Sequence, residues 1–83
     1  MSRIDRKVQR NIGWITWNYI ANHPNCTRND LYAELELFGT KEVKRVLKKS
    51  EGIYWLVRKV VKLTEDGYRT SYFYNLVPDS KFQ

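Results

Sequence analysis

The chain has one cysteine, one histidine, one methionine and two prolines among its 83 residues. A lone thiol, Cys26, has no partner for an internal disulfide, which agrees with a reducing compartment and predicts a small core or turn residue. One His and one Cys are too few to build a zinc site or a hydrolytic triad. They stand three apart, His23 and Cys26, across Pro24, so the one Cys-His pair on offer falls in a turn. The four glycines, Gly13, Gly39, Gly52 and Gly67, never gather into a loop that could cradle phosphate. These shortages disfavour an enzyme, and no metal or cofactor is expected.

Apolar runs are short as well. The longest, Ile53 to Val57, has five residues, against about 20 for a membrane span. Behind Arg3, Arg6, Lys7 and Arg10, the N-terminal stretch is broken by Asn11, Gly13, Thr16 and Asn18. It therefore lacks the apolar block and cleavage site of a secretion signal. The expected location is cytoplasmic and nucleoid-associated, or nuclear in a eukaryote. Acids are scarce: nine Asp and Glu face fifteen Lys and Arg, giving a net charge of +6, which points to a polyanion such as nucleic acid or acidic lipid. The hydrophobic share of 42% and charged share of 29% are ordinary for a globular chain, which disfavours wholesale disorder. A chain this short buries only about 60–65% of its unfolded surface, enough for one core, so residues 1–83 are read as one domain.

Ser2 and Asp5 have capping-box spacing, and helix 1 is predicted over about 3–22, stopped by Pro24. Ile4, Val8, Ile12, Ile15 and Tyr19 form one apolar stripe, assigned to the core. Trp14, Trp17 and Ala21 fall on another side, leaving more apolar surface than one small core can use. Two covers stand open: the C-terminal tail through Phe82, or a second copy or other partner seated on Trp14, Trp17 and Ala21. Thr27 and Asp30 form a second capping pair ahead of helix 2, predicted over about 28–37 with Leu31, Leu35 and Phe38 inward. Gly39 ends it. Thr40 is expected to cap helix 3, over about 41–50, with Val43, Val46 and Leu47 inward and Gly52 as its stop. The short link between helices 2 and 3 folds them back as a helix-turn-helix.

From Ile53 the period becomes two, predicting a hairpin over about 53–77 and a tail over 78–83. A turn at Asp66-Gly67 would pair Glu65 with Tyr68, Leu63 with Thr70, Val61 with Tyr72, Lys59 with Tyr74 and Val57 with Leu76. One face then carries Trp55, Val57, Val61, Leu63, Tyr72, Tyr74 and Leu76 and is expected to be buried. The other mixes Arg58, Lys62 and Arg69 with Leu56, Val60 and Phe73.

Helix 3 holds the sharpest signal. Lys41, Lys44, Arg45, Lys48 and Lys49 face one acid, Glu42, and Lys41, Arg45 and Lys48 lie opposite Val43, Val46 and Leu47 at about 100° per residue. A major groove admits such a helix, with Lys meeting phosphate and the Arg fork matching the two acceptors of guanine. A plain solvated face would mix signs. Here the i, i+4 pairs Lys41/Arg45, Lys44/Lys48 and Arg45/Lys49 each cost a few tenths of a kcal/mol unless a partner relieves them. Lys62 and Arg69 at the hairpin tip either reach phosphate or protect a strand edge. Arg3, Arg6, Lys7 and Arg10 either touch backbone or sit in a first turn opposed by the helix dipole.

Three segments together resemble the winged helix-turn-helix family across nearly the whole chain. Thr27-Arg28-Asn29-Asp30-Leu31-Tyr32-Ala33-Glu34-Leu35 resembles the first helix of the motif, Thr40-Lys41-Glu42-Val43-Lys44-Arg45-Val46-Leu47 its recognition helix, and Glu65-Asp66-Gly67-Tyr68-Arg69 the tip of its wing. The likeness implies an α+β fold of three helices and a C-terminal two-stranded β-hairpin wing. It further implies double-stranded DNA binding by a small transcriptional regulator. The implied contact residues are Thr40, Lys41, Lys44, Arg45, Lys48 and Lys49, with Arg28 at the start of helix 2 and Lys62 and Arg69 on the wing. The acidic start of Glu36-Leu37-Phe38-Gly39 departs from a phosphate-facing link. A rival reading keeps the frame without DNA, as an adaptor or inhibitor anchored on a protein by Trp14, Trp17, Tyr32 or Tyr54. A third stacks single-stranded bases on Tyr72, Phe73 and Tyr74, although the expected register turns Tyr72 and Tyr74 inward.

Overall fold

A computed structural model describes the backbone of residues 6–82 and the side chains of residues 11–82. Expectations on Ser2, Arg3, Ile4 and Asp5, and on the side chains of Arg6, Lys7, Val8 and Arg10, lie outside the described residues. Helix α1 spans Arg6–Asn22, strand β1 Cys26–Thr27, helix α2 Arg28–Glu34, and helix α3 Thr40–Lys49. Strands β2, Trp55–Thr64, and β3, Gly67–Leu76, complete an α+β fold whose antiparallel sheet has the order β1-β3-β2. None of the described helices is long and apolar enough to cross a membrane.

Cys26, expected as a small core or turn residue, is buried, and it pairs with Tyr74 while Thr27 pairs with Phe73 as a third strand. Asn25 makes the turn into it. Its φ of 64° is left-handed, which Asn tolerates better than most residues. Its amide donates to the Tyr74 carbonyl at 3.1 Å and to Asn75 Oδ1 at 3.0 Å, while Asn75 Nδ2 returns a bond of 2.7 Å to Asn25 Oδ1. A two-residue strand carries no periodicity, so nothing in the pattern marked it.

The buried row of α1 is Ile12, Thr16 and Ile20, rotated from the expected stripe, and Ile15 and Tyr19 are only half-buried. Thr16 explains the rotation: its hydroxyl donates to the Ile12 carbonyl at 2.7 Å, so the polar atom is satisfied within the helix and the residue can face the core. Beside this row, a Cβ built on Gly13 would lie 2.9 Å from Phe82 Cζ, so the absence of a side chain lets the C-terminal tail lie against α1. Phe82 also packs on Trp14 at 5.8 Å and on Tyr54 at 4.9 Å between ring centroids. The tail thus covers part of the Trp14 indole.

Helix α2 ends at Glu34, short of the expected 37, and gives way to a 3₁₀ turn over Glu36–Phe38 that leaves Leu37 exposed. Its start is a full capping box. Thr27 Oγ1 accepts from the Asp30 amide at 3.2 Å, and Asp30 Oδ2 accepts from the Thr27 amide at 3.0 Å. Thr27→Ala is expected to cost about 1 kcal/mol, roughly 4–8 °C in melting temperature for a domain of this size, read by circular dichroism. The bonds from the Thr27 amide and hydroxyl hold the Asp30 carboxyl below its ordinary range. This contribution is therefore present above the ordinary carboxylate range and is lost as pH falls below it, through the depressed value of Asp30. At α3 the expected cap moves by one residue: Gly39, with φ 83°, takes the N-cap position and Thr40 is the first helical residue, without a side-chain cap bond.

The hairpin closes one position earlier than expected. Thr64 pairs with Gly67 around Glu65-Asp66, and the Thr64 hydroxyl donates to the Gly67 carbonyl at 3.1 Å. Every partner slides by two, so Val57 faces Tyr74, Lys59 faces Tyr72 and Trp55 faces Leu76. A slide of two keeps each side chain on its expected face, and this one lets Trp55 and Tyr74 both reach the core. Burial along that face fails toward the tip. Val57, Tyr72 and Leu76 are half-buried, but Val61, Leu63 and Tyr68 are 54%, 71% and 78% exposed, because the ten-residue strands outrun the helices beneath them.

Candidate nucleic-acid interface

Helix α3 is pinned by its apolar side. Val43, Val46 and Leu47 are buried among Ile12, Leu31, Leu35 and Trp55. The Trp55 indole Nε1 donates to the Leu47 carbonyl at 3.0 Å, satisfying an acceptor near the end of the helix, where intrahelical amides run out. This bond ties the C-terminal turn of α3 to the base of the hairpin.

The outward side carries Thr40, Lys41, Lys44, Arg45, Lys48 and Lys49, all exposed. Glu42 sits apart from them, its side chain only 14% exposed and its Oε1 3.5 Å from Arg45 Nη1. Its Oε2 is buried without a hydrogen-bond partner. The Arg45 side chain stays 54% exposed, so water screens the pair and a stronger acceptor can draw the guanidinium away. Among the described residues this is the sole ion pair, which leaves Lys41, Lys44, Lys48 and Lys49 without a carboxylate partner there.

Arg28 occupies a different setting from the lysines. Its guanidinium carbon lies 3.8 Å from the centre of the Tyr72 ring, and its Nε donates to the Tyr74 hydroxyl at 3.0 Å. The side chain is therefore held flat and aimed, in contrast to a free surface arginine. Arg28, Lys44 and Lys48 line one cleft between α2, α3 and β3, together with Tyr32, Leu47 and Tyr74, and with Glu51 on its wall. The pattern of the chain offered no sign of this convergence. Arg28 is 46 residues from Tyr74, and only the β3 register brings them together.

Lys62 and Arg69 are direct partners across the hairpin, on the face opposite Tyr72 and Tyr74. Like charges placed opposite one another are unfavourable, so this pair repeats the unrelieved repulsion of α3. On the same outer face Arg58 lies over the Phe73 ring at 5.0 Å. Lys59, which interrupts the apolar face in the sequence, is exposed and opposite Tyr72, on the side where Arg28 stacks.

On α1, Trp14 and Trp17 stack with centroids 6.0 Å apart and planes 6° from parallel. Trp17 is half-buried against the core with its Nε1 unbonded, Trp14 is 49% exposed beside Phe82, and Ala21 is exposed. Burial pushes the Cys26 thiol up to about 11, which keeps it protonated at neutral pH. The His23 ring stacks on Tyr19 at 4.2 Å. Among the described residues no three His, Cys, Asp or Glu side chains gather where a metal could sit. In comparisons with known proteins, no family model matches this chain, and neither curated proteins nor solved structures give a significant match.

Proposed function

We propose that this chain is a winged helix-turn-helix protein that binds double-stranded DNA, with α3 in the major groove and the β2–β3 hairpin as the wing alongside. It acts in the cytoplasm or nucleus as a small transcriptional regulator, by occupying its site. The observation that carries this reading is the outward side of α3, where four exposed lysines have no carboxylate partner among the described residues. Such an arrangement costs the free protein a few tenths of a kcal/mol per like-charge pair and is relieved by phosphate. Arg45 carries base readout and Lys41, Lys44, Lys48 and Lys49 carry phosphate contact, with Lys62 and Arg69 meeting the backbone from the wing. A homodimer seated on Trp14 extends the proposal, since that indole keeps half its surface open beyond Phe82.

A protein-binding module on the same frame is favoured by one observation, the exposed Val61, Leu63 and Tyr68 near the hairpin tip. Selection of bound fragments from a random duplex pool at two salt concentrations separates the two. Enrichment of one motif supports base readout, salt-sensitive binding without enrichment supports an architectural role, and no binding at either salt favours the protein partner. On the enriched duplex, Arg45→Ala should lose about 1–3 kcal/mol of specific binding, and Lys48→Ala should lower the salt slope by about 1. Unchanged affinity in both variants would sink the groove assignment.

A further inference from the structure

We infer that the cleft between α2, α3 and β3 is a phosphate-binding site in which Arg28, Lys44 and Lys48 converge on one tetrahedral oxyanion. It rests on the DNA reading only for the source of that phosphate. The cleft encloses about 400 Å3, room for a phosphate and part of the sugar it esterifies. Arg28 Nε is used by the Tyr74 hydroxyl at 3.0 Å and its plane by the Tyr72 ring at 3.8 Å. Its two terminal nitrogens have no acceptor among the described residues, so the fork is held in place with four N–H donors to spare. Little rotamer freedom remains to be lost when it binds. Lys44 and Lys48 stand at i, i+4, about 5–6 Å apart at Cβ, and both line the same space. Tyr32 lines the cleft with a phenol that has no hydrogen-bond partner among the described residues. Glu51 on the wall opposes an anion there, one negative charge set against the three positive charges of Arg28, Lys44 and Lys48.

The shared chemistry has two sources, a backbone phosphodiester of a duplex and a free phosphate, and the test separates them. The Arg28 Nε–Hε resonance of the full chain is followed by NMR during titration with inorganic phosphate, with chloride at equal ionic strength, and with a mixed-sequence duplex. Saturable movement with phosphate and none with chloride is expected. It should weaken at least tenfold in Lys44→Gln/Lys48→Gln, whose exposed positions leave the core intact. In Arg28→Lys, which keeps the charge but loses both the fork and the Nε–Hε signal, the phosphate response is read from the backbone amides of Lys44 and Lys48 and should weaken as much. If the duplex moves Arg28 and phosphate displaces it, the source is the DNA backbone. If phosphate saturates Arg28 while a bound duplex leaves it unmoved, the source is a free phosphate. Saturation by phosphate from a protein that binds no duplex upholds the site and refutes the DNA reading. A duplex that binds while neither ligand moves Arg28 refutes the site and leaves the DNA reading standing. Equal movement in chloride, or an undiminished response in the double variant, also overturns the site.

Discussion

Trp55→Ala is expected to lose about 3–5 kcal/mol, against a total of about 5–15 kcal/mol for a domain of ordinary stability. That corresponds to a fall of roughly 12–40 °C in melting temperature for a chain of this size. The indole is fully buried, so its removal opens a large cavity between α3 and the hairpin base. It also strips the Leu47 carbonyl of its 3.0 Å donor. Trp55→Phe separates the two effects, since most of the ring volume stays and only the N–H is lost. A buried acceptor left unbonded costs about 1–3 kcal/mol, which urea unfolding followed by circular dichroism would resolve. A Phe variant as stable as the parent would mean that the helix end finds another donor. A Phe variant that keeps its stability loss small but binds DNA poorly would place the Trp55 bond in the alignment of α3 with the hairpin.

The elements that sequence reading locates well are those with strong local chemistry. Thr27 and Asp30 have capping spacing, and both reciprocal bonds form. Val43, Val46 and Leu47 repeat on one side of a helix and are buried there. Gly52 has the left-handed φ of 85°, although the helix ends at Lys49 with Ser50 as its cap and Gly52 belongs to the turn that follows. Long-range balance decides the rest. The Asp-Gly signal placed the hairpin turn one residue late, because the register follows the residues that fill the core, Trp55 from β2 and Tyr74 from β3, which face Leu76 and Val57. Thr16 reads as polar in a linear pattern, yet its bond to the Ile12 carbonyl makes it a core residue. The expectation of a buried hairpin face assumed that helices lie under its whole length. Val61, Leu63 and Tyr68 show that packing ends before the strands do.

For the candidate site the same division holds. Placing the α3 cations outward required only the helical period, and all five are exposed. The special position of Arg28 required the β3 register, which sets Tyr72 under its guanidinium and Tyr74 beside its Nε. Glu42 lay at the edge of the charged face by angle alone, whereas packing draws its side chain inward and hands one oxygen to Arg45. Charge counting finds a surface. Which of its members are rigid depends on contacts tens of residues away in the chain.

Lys41→Glu/Lys44→Glu is expected to stabilise the fold while weakening DNA binding on the order of a hundredfold or more, and the opposite signs are what distinguish a binding face from an ordinary solvated one. Both positions are exposed, so neither change disturbs the core. Each replaces a like-charge pair by a favourable one, with the acid N-terminal to Arg45 and Lys48, worth about 0.3–0.5 kcal/mol per new pair. The acid placed at position 41 also sits in the first turn of α3, where the helix dipole adds about 0.3–1 kcal/mol. The melting temperature should therefore rise by several degrees. Binding moves the other way. A lysine on a phosphate contributes about 0.9 to the salt slope, roughly a factor of eight in affinity near 0.1 M salt, so losing two costs about sixtyfold before the repulsion of two new carboxylates is added. A loss on the order of a hundredfold or more, with a shallower salt dependence, is the expected outcome of fluorescence anisotropy titrations with the enriched duplex. If the variant is more stable and binds as tightly as the parent, the lysines of α3 are only a solvated face, and the polyanion that their charge implies meets another part of the chain.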